Sequence, residues 1–473
     1  MTALRVTRPF ADAFGLRASS LGLWFVASAV AFAAGTADAR EPAARVAPPK
    51  PATVTYVTST GDTLYDIAAR YLRNPADWAR LAQINRVDAP RRLPAGVKLL
   101  LPVALLRQDM PGANVLATSG PAQHAFRDGP YLPLIEGTQL VEGDRVRTGS
   151  EGFVTLELTD GSHLMIPPDT ELDLSTLRQT VLTGTTDRVV SLRRGRVESE
   201  VTHATKKDDR FQIRSPSVVA GVRGTRFRVN YDRDSGSTAV EVIEGAVGVD
   251  ASSQAPAAGV PLRASTQLVA ANYGSVTARG GAIGAPVPLL AAPTLQNASK
   301  VQDGDDVAFD AAPVEGARGY RALIGRDAGL LDTIRDVRTD GPHIPVGALD
   351  DGTYFVRVTA ISADGLEGMP GTYAFERRHM GIGASGGPVD GAHSYQFRWF
   401  VDRRAESTSF RFVLAANPDL RTPLVDRPDV GGGHVVVSNL PAGVYYWSVV
   451  AGQFDRGRYY EKATPVQSFR LDR

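Results

Sequence analysis

Over residues 137–250 the apolar side chains recur with a period of two, in short runs about ten residues apart. Val154, Leu156 and Leu158 alternate with Phe153, Thr155 and Glu157. Asp160-Gly161 then supplies a two-residue hairpin signal before Leu164 and Ile166. Further runs lie at 189–192, 196–201, 211–214, 227–231 and 238–249, with turns expected at Arg194-Gly195, Ser235-Gly236 and Glu244-Gly245. Strands of this length and spacing predict an all-β sandwich or roll. Residues 260–278 are expected to add one or two strands. The 47 Gly and 31 Pro of the chain agree, because both favour turns and linkers over long helices.

Length and charge bound the rest. The chain has 473 residues, which at about 150 per domain implies roughly three domains. Lys plus Arg total 52 against 51 Asp plus Glu, so a chain-wide electrostatic nucleic-acid binder is excluded. Cysteine is absent, which excludes disulfides, thiolate metal sites and cysteine nucleophiles, and with them cysteine peptidases and transpeptidases. The seven His, at 124, 163, 203, 343, 379, 393 and 434, never fall within five residues of one another. No local HExxH-type pair can form, and neither a metal nor a cofactor is expected.

The start of the chain reads as an address. Arg5, Arg8 and Arg17 precede an uncharged, mainly apolar run at 21–34, followed by Ala37-Asp38-Ala39. This predicts a signal peptide over 1–39, cleaved after Ala39, and an exported protein with no stable membrane span after cleavage. An uncleaved membrane anchor is the alternative reading. Residues 40–53, with Pro42, Pro48, Pro49 and Pro51, predict a stiff Pro/Ala linker.

Residues 55–102 carry the sharpest local pattern. A short strand at Thr55-Tyr56-Val57-Thr58 breaks at Thr60-Gly61-Asp62-Thr63. Leu64, Ile67, Ala68, Tyr71 and Leu72 then mark one face of an amphipathic helix. Asp62 or Thr63 can cap that helix. A second helix opens at Asn74-Pro75, with Asn as cap and Pro in the first turn, and Asn85 suits a left-handed stop. Val97, Leu99 and Leu101 close with a strand, giving the order β-α-α-β. With Trp78, Leu81, Leu93, Gly96 and Leu101-Pro102 also in place, the module (54–103) resembles a LysM domain. That resemblance implies binding of N-acetylglucosamine-containing glycan, notably peptidoglycan, in a groove between two loops. Gly61, Asp62, Thr63 and Leu64 would form one wall, and Asn85, Arg86, Val87, Leu93 and Pro94 the other. Asp62 and Thr63 also have a purely capping reading, and Trp78 a purely core one. Residues 89–92 make the second loop longer and more basic than the family pattern. A single module implies weak binding.

The period-two region, as part of an all-β domain over 120–279, resembles the extracytoplasmic domain of the FecR family. The matching residues include Val141-Glu142-Gly143-Asp144-Arg145-Val146, Leu158-Thr159-Asp160-Gly161-Ser162 and Leu192-Arg193-Arg194-Gly195-Arg196-Val197. Phe211-Gln212-Ile213-Arg214-Ser215-Pro216 and Val222-Arg223-Gly224-Thr225-Arg226-Phe227 continue the match. Founding members relay a signal through a membrane helix and a cytoplasmic tail. Neither is read in this sequence, so the resemblance implies the fold and not the signalling. Arg223-Gly224-Thr225 reads as a Gly-dependent bulge with solvated arginines, or as a ligand or partner contact. Arg193, Arg194, Arg196, Lys206, Lys207 and Arg210, interleaved with Glu198, Glu200, Asp208 and Asp209, predict a mixed-charge solvated face and no nucleic-acid site.

A Gly/Ala/Pro-rich linker is expected at 280–293, followed by two related segments at 294–378 and 386–473. Tyr320-Arg321-Ala322-Leu323-Ile324 aligns with Phe410-Arg411-Phe412-Val413-Leu414. Leu349-Asp350-Asp351-Gly352-Thr353-Tyr354 aligns with Leu440-Pro441-Ala442-Gly443-Val444-Tyr445. This pattern resembles fibronectin type III modules, and it places Tyr354, Tyr445 and Trp447 in cores rather than on a sugar platform. The hinge between the segments matches GxGxxG at Gly381–Gly386 and GxSxG at Gly383–Gly387. It lacks the strand–helix context that either motif needs. Asp303-Gly304-Asp305-Asp306 lacks calcium-loop spacing and reads as a turn.

The expected architecture is mainly β and multidomain. A small βααβ LysM-like module precedes an all-β FecR-like domain and two fibronectin type III-like sandwiches. The expected function is that of a non-catalytic periplasmic envelope protein, or one at the cell surface or secreted. It would bind peptidoglycan and present a β scaffold to an unidentified envelope protein. A signal-sensing protein acting through a membrane partner is the alternative, and a hydrolase finds no candidate residues.

Overall fold

A computed structural model describes residues 52–472 apart from 207, 253–264, 297–300, 390–393, 403–406 and 456. The expected signal peptide and nearly all of the Pro/Ala linker lie outside the described residues.

The first module runs β1 (Thr53–Val57), α1 (Leu64–Tyr71), a single 3-10 turn (Pro75–Asp77), α2 (Trp78–Asn85) and β2 (Lys98–Pro102). β1 and β2 pair antiparallel, from Thr53 opposite Pro102 to Val57 opposite Lys98. Thr63 caps α1: its Oγ1 accepts from the Asp66 amide at 3.0 Å. Asn74 caps the next turn through the Ala76 amide at 3.1 Å. The left-handed stop falls one residue later than expected, on Arg86 (φ 53°). Asn85 stays helical, and its side-chain amide bridges to the Leu100 backbone of β2. Leu64, Ile67, Leu72, Leu81, Leu99 and Leu101 form the core. Leu182, from a hairpin in the next domain, packs against it.

The following strands, from Gln108–Asp109 to Val287–Pro288, close into a barrel with a single continuous apolar core. The Asp160-Gly161 hairpin forms as expected, with Gly161 at φ 77° and its amide donating to Leu158 O at 2.9 Å. Arg194-Gly195 is not a turn. It lies inside the 15-residue strand Thr186–Glu200. The first half of that strand pairs with Glu171–Thr180, and the second half with Arg226–Tyr231. Gly195 (φ 83°) is the corner at which the strand passes between sheets; a Cβ there would meet Asp169 O at 2.7 Å. The expected linker is also partly structured. Val287–Pro288 pairs with the strand Tyr273–Thr277, and Leu290 packs on the core of the next domain.

Two sandwiches follow. In the first, Val307–Asp310 and His343–Gly347 face a sheet built from Ala317–Gly325, Thr333–Thr339, Gly352–Ser362 and Gly371–Arg377. In the second, Ile382–Pro388, Tyr395–Val401 and His434–Val437 face Ser407–Ala415, Pro423–Arg427, Gly443–Asp455 and Arg458–Ala463. Tyr354 donates to Asp350 O at 3.0 Å and Tyr445 to Pro441 O at 2.7 Å, the same corner in both copies. Trp447 is buried with them, as expected. The glycine-rich hinge is itself a strand, Ile382–Pro388, and no helix follows it among the described residues. The Asp303 turn offers its backbone to Arg377, with Gly304 O at 2.5 Å and Asp305 O at 2.9 Å.

Candidate glycan groove and a buried charge cluster

The two loops singled out in the first module do meet. The Leu64 amide donates to Pro90 O at 2.9 Å, and Thr58 Oγ1 donates to Pro94 O at 2.7 Å. The candidate residues divide by exposure. Gly61, Arg86 and Pro94 are exposed, while Thr63, Asn85 and Val87 are half-buried. Asp62, Leu64 and Leu93 are buried, so only their backbone can face a ligand.

Asp62 is fully engaged. It accepts from the Ser59 amide at 2.8 Å, Tyr56 Oη at 2.8 Å and Arg70 Nη2 at 2.7 Å. The Ser59 amide, with Tyr56 and Arg70, outweighs burial and holds its carboxyl below the usual range. Asp62 therefore shapes the first loop rather than reaching into the groove, and Asn85 likewise spends its amide on β2. Trp78 is half-buried against Tyr65, ring centroids 4.4 Å apart, and Arg91 stands over Tyr65 at 6.0 Å.

The mixed-charge solvated face is corrected by the structure. Arg193, Arg194, Glu200, Lys206 and Asp208 are exposed, but Arg196, Glu198 and Arg210 are buried. Lys207 lies outside the described residues. Arg196 and Glu198 sit where the first sandwich lays the outer face of its larger sheet on the barrel. That contact explains why Phe153 and Thr155, on the outward side of their strand, are buried as well. Phe153 packs with Leu323 and Leu330, and Thr155 Oγ1 donates to Leu331 O at 2.6 Å.

Glu367 is the hub of this interface. It pairs with Arg196, with Arg321 Nη1 at 2.8 Å and with Arg228 Nη1 at 2.9 Å, and it accepts from Thr359 Oγ1 at 2.9 Å. Its own amide donates to Glu241 Oε1 at 2.8 Å. Arg357 and Arg226 meet on Glu198 at 3.0 and 2.9 Å, and Asp336 takes the other side of Arg321 at 2.7 Å. Burial pushes the Glu367 carboxyl up, but Arg321, Arg228 and Arg196 together hold it well below the usual range. Burial and the nearby Glu367 push Glu241 the other way, up. Burial, reinforced by the charge of Arg321, lowers Arg196 to about 10. Around Arg223-Gly224-Thr225, Arg223 is exposed, while Arg226 is half-buried on Glu198. The strand pairing shows a bulge between Arg226 and Phe227.

None of Arg228, Glu241, Arg321, Arg357 or Glu367 was legible as a site residue. Each occupies the outward position of an alternating strand or a turn, where solvent is the default expectation. The hydrogen bonds that cross the interface join residues 126 to 171 apart along the chain, and Arg321 enters the cluster through Glu367. Among the described residues no cluster of His, Asp or Glu could hold a metal, and no helix is long and apolar enough to cross a membrane.

Known proteins share parts of this architecture. No curated protein matches the sequence. Among solved structures, a "putative anti-sigma factor" from Parabacteroides distasonis is similar at 18% identity and TM-score 0.24, over 30% of this chain and 59% of that one. The chain thus spans under two thirds of that protein's length. Fibronectin(III)-like modules of Clostridium thermocellum CbhA are similar at 12% identity and TM-score 0.20, over 37% of this chain and 90% of theirs. A two-domain fibronectin type III segment of chicken tenascin is similar at 14% identity and TM-score 0.18, over 37% of this chain and 99% of that segment. The family models described as "LysM domain" and "FecR protein" match residues 56–102 and 144–248, so the chain carries a LysM-like module and a FecR-like barrel ahead of its two sandwiches.

Proposed function

We propose that this is a non-catalytic protein of the cell envelope, exported to the periplasm, whose LysM-like module tethers a rigid β scaffold to peptidoglycan. The observation that carries the reading is the meeting of the two module loops. Gly61, Thr63, Arg86, Val87 and Pro94 would border the glycan groove, and the loops that carry them are tied by Asp62, Asn85 and the Leu64–Pro90 hydrogen bond. Backbone amides in such loops pair with acetamido groups, and aliphatic surfaces meet sugar faces. A single LysM-like module implies weak, reversible attachment.

The barrel and first sandwich would present a surface to an envelope protein. The FecR match supports a sensing role for that surface as the second reading. Sedimentation with purified peptidoglycan sacculi tests the tether. The full chain should pellet, and a truncation starting near Pro111, checked for β-structure by circular dichroism, should stay in solution. If both stay soluble, the groove is not a wall binder and the sensing reading takes its place.

A further inference from the structure

The edge strands of the two sandwiches are guarded unequally. An edge strand carries unpaired backbone donors and acceptors, and a charge or a proline on it discourages pairing with another chain. Thr333–Thr339 carries Arg335 and Arg338, and Arg458–Ala463 carries Glu461 and Lys462. His343–Gly347, at the edge of the first sandwich's smaller sheet, holds Pro345. The aligned strand of the second sandwich, His434–Val437, reads His-Val-Val-Val and has no proline, Lys, Arg, Asp or Glu.

A shared hydrogen bond fixes the backbone direction at both positions. In the first sandwich the Ala311 amide donates to Pro342 O, and in the second the Trp399 amide donates to Gly433 O, both at 2.9 Å. Backbone groups alternate in direction along an antiparallel strand. Residues 435 and 437 therefore face the neighbouring strand Tyr395–Val401, while 434 and 436 face away from it. Pro345 fills such an outward position, where it removes the amide that an added strand would use. Val436 supplies that amide, and nothing among the described residues bonds it. Val436 is 40% exposed and borders an open groove of about 600 Å³. Arg427 and Asp429 also line the groove, and neither has an ion-pair partner among the described residues.

We propose that this edge pairs with the same edge of a second copy of the chain, antiparallel about a two-fold axis. Two identical strands run antiparallel are self-complementary, as an isologous dimer requires. With the axis at Val436, the two Val436 residues exchange both N–H···O bonds, and their β-branched side chains meet. The smaller sheets of the two copies, three strands each, then run on as one sheet. The charges obey the same symmetry, since Arg427 of one copy meets Asp429 of the other on both sides of the axis. A foreign peptide would have to bring its own complement, whereas a second copy carries strand and charges already matched. The contact is small, so the dimer is weak. Its consequence is avidity, because two LysM-like modules on one particle engage the wall together. The dimer itself is independent of the wall tether; the gain in avidity rests on it.

Sedimentation equilibrium of the full chain, from about 1 µM to about 1 mM, tests the proposal, and a Kd of roughly 10–500 µM is expected. Val436→Pro, which copies Pro345, should weaken the dimer at least roughly tenfold. Val436→Lys, a guarding charge, should do the same and decides the matter if circular dichroism shows the proline variant unfolded. Arg427→Glu should weaken the dimer, and Arg427→Glu/Asp429→Arg should restore it, a rescue that pairing with a foreign peptide does not give. Leu268→Lys, on the barrel and 66% exposed, should leave it unchanged. A monomer at every concentration would overturn the proposal. So would a dimer that the folded Val436 variants leave intact, or a charge-swapped double variant no tighter than Arg427→Glu. With sacculi, Val436→Pro should pellet less than the parent at equal concentration, and equal pelleting would remove the avidity. If neither pellets, the tether fails while the dimer measured in solution stands.

Discussion

Glu367→Ala is the most direct test of whether the barrel and first sandwich form one body. The carboxylate is 3% exposed and faces three guanidinium groups, Arg196, Arg228 and Arg321. Two of these keep other partners when it is removed: Arg321 keeps Asp336, and Arg228 keeps Gly368 O at 2.8 Å. Arg196, already lowered to about 10 by burial and by Arg321, loses its counter-ion. Breaking a buried pair from one side costs about 3–5 kcal/mol, because a charge is left desolvated and uncompensated. At roughly 2–4 °C per kcal/mol for a body of 150–250 residues, the Tm should fall by roughly 10 °C.

Scanning calorimetry is the assay. In the parent chain the barrel and first sandwich should melt together, and in Glu367→Ala the sandwich should separate as an earlier transition. The pH dependence has a fixed sign. A carboxyl held below its unfolded value contributes fully above that value, about 4.3, and loses its contribution as pH falls through the folded one. The difference between parent and variant should therefore be flat from about pH 5 to 8 and shrink only in stronger acid. Glu241 has the opposite sign: its raised pKa means that its contribution improves as pH falls. A Tm change under about 2 °C, with one shared transition retained, would refute the argument that this cluster joins the two domains.

Two further outcomes are expected. Arg321→Ala should cost about 3–5 kcal/mol, whereas Arg411→Ala, which breaks the same kind of pair at the aligned position of the second sandwich, should cost under about 1 kcal/mol in denaturant unfolding. Asn85→Ala should cost about 0.5–1.5 kcal/mol locally, since it removes two bonds to the exposed Leu100 backbone that water can only partly replace. Hydrogen exchange should register that loss in β2 and α2 while the barrel stays protected.

What could be read from the sequence was local. Capping at Asn74, the Asp160-Gly161 hairpin and the two tyrosine corners each depend on residues within a few positions of one another and formed as expected, and of the two caps open to the first helix, Asp62 or Thr63, Thr63 takes the role. The misread charges have one cause: position along a strand does not say what covers its outward face. Arg196 and Glu198 alternate like solvated residues, yet the groups that meet them, Glu367 and Arg357, lie 171 and 159 residues further along the chain. Gly195 reads as a turn because a left-handed glycine marks either a reversal or a corner, and the choice depends on which strands wait on each side.

The two sandwiches make the point within one chain. Arg321–Asp336 and Arg411–Asp426 share sequence position, sheet position and a separation of 2.7 Å. In the first copy the side chains are 2% and 12% exposed, and in the second 55% and 34%. The local pattern that builds the fold is therefore duplicated, while the environment that makes the pair matter is not. Phe355 and Arg357 in the first copy, aligned with Tyr446 and Ser448 in the second, carry the difference. Arg357 reaches Glu198 across the interface, whereas Ser448 turns back to Thr464 O at 3.0 Å in its own domain. A long cation at that position adds to the contacts that Glu367 makes with the barrel, whereas the short hydroxyl of the second copy stays within its own domain. Fold follows from the repeated residues, and the division of labour between the copies follows from the few that differ.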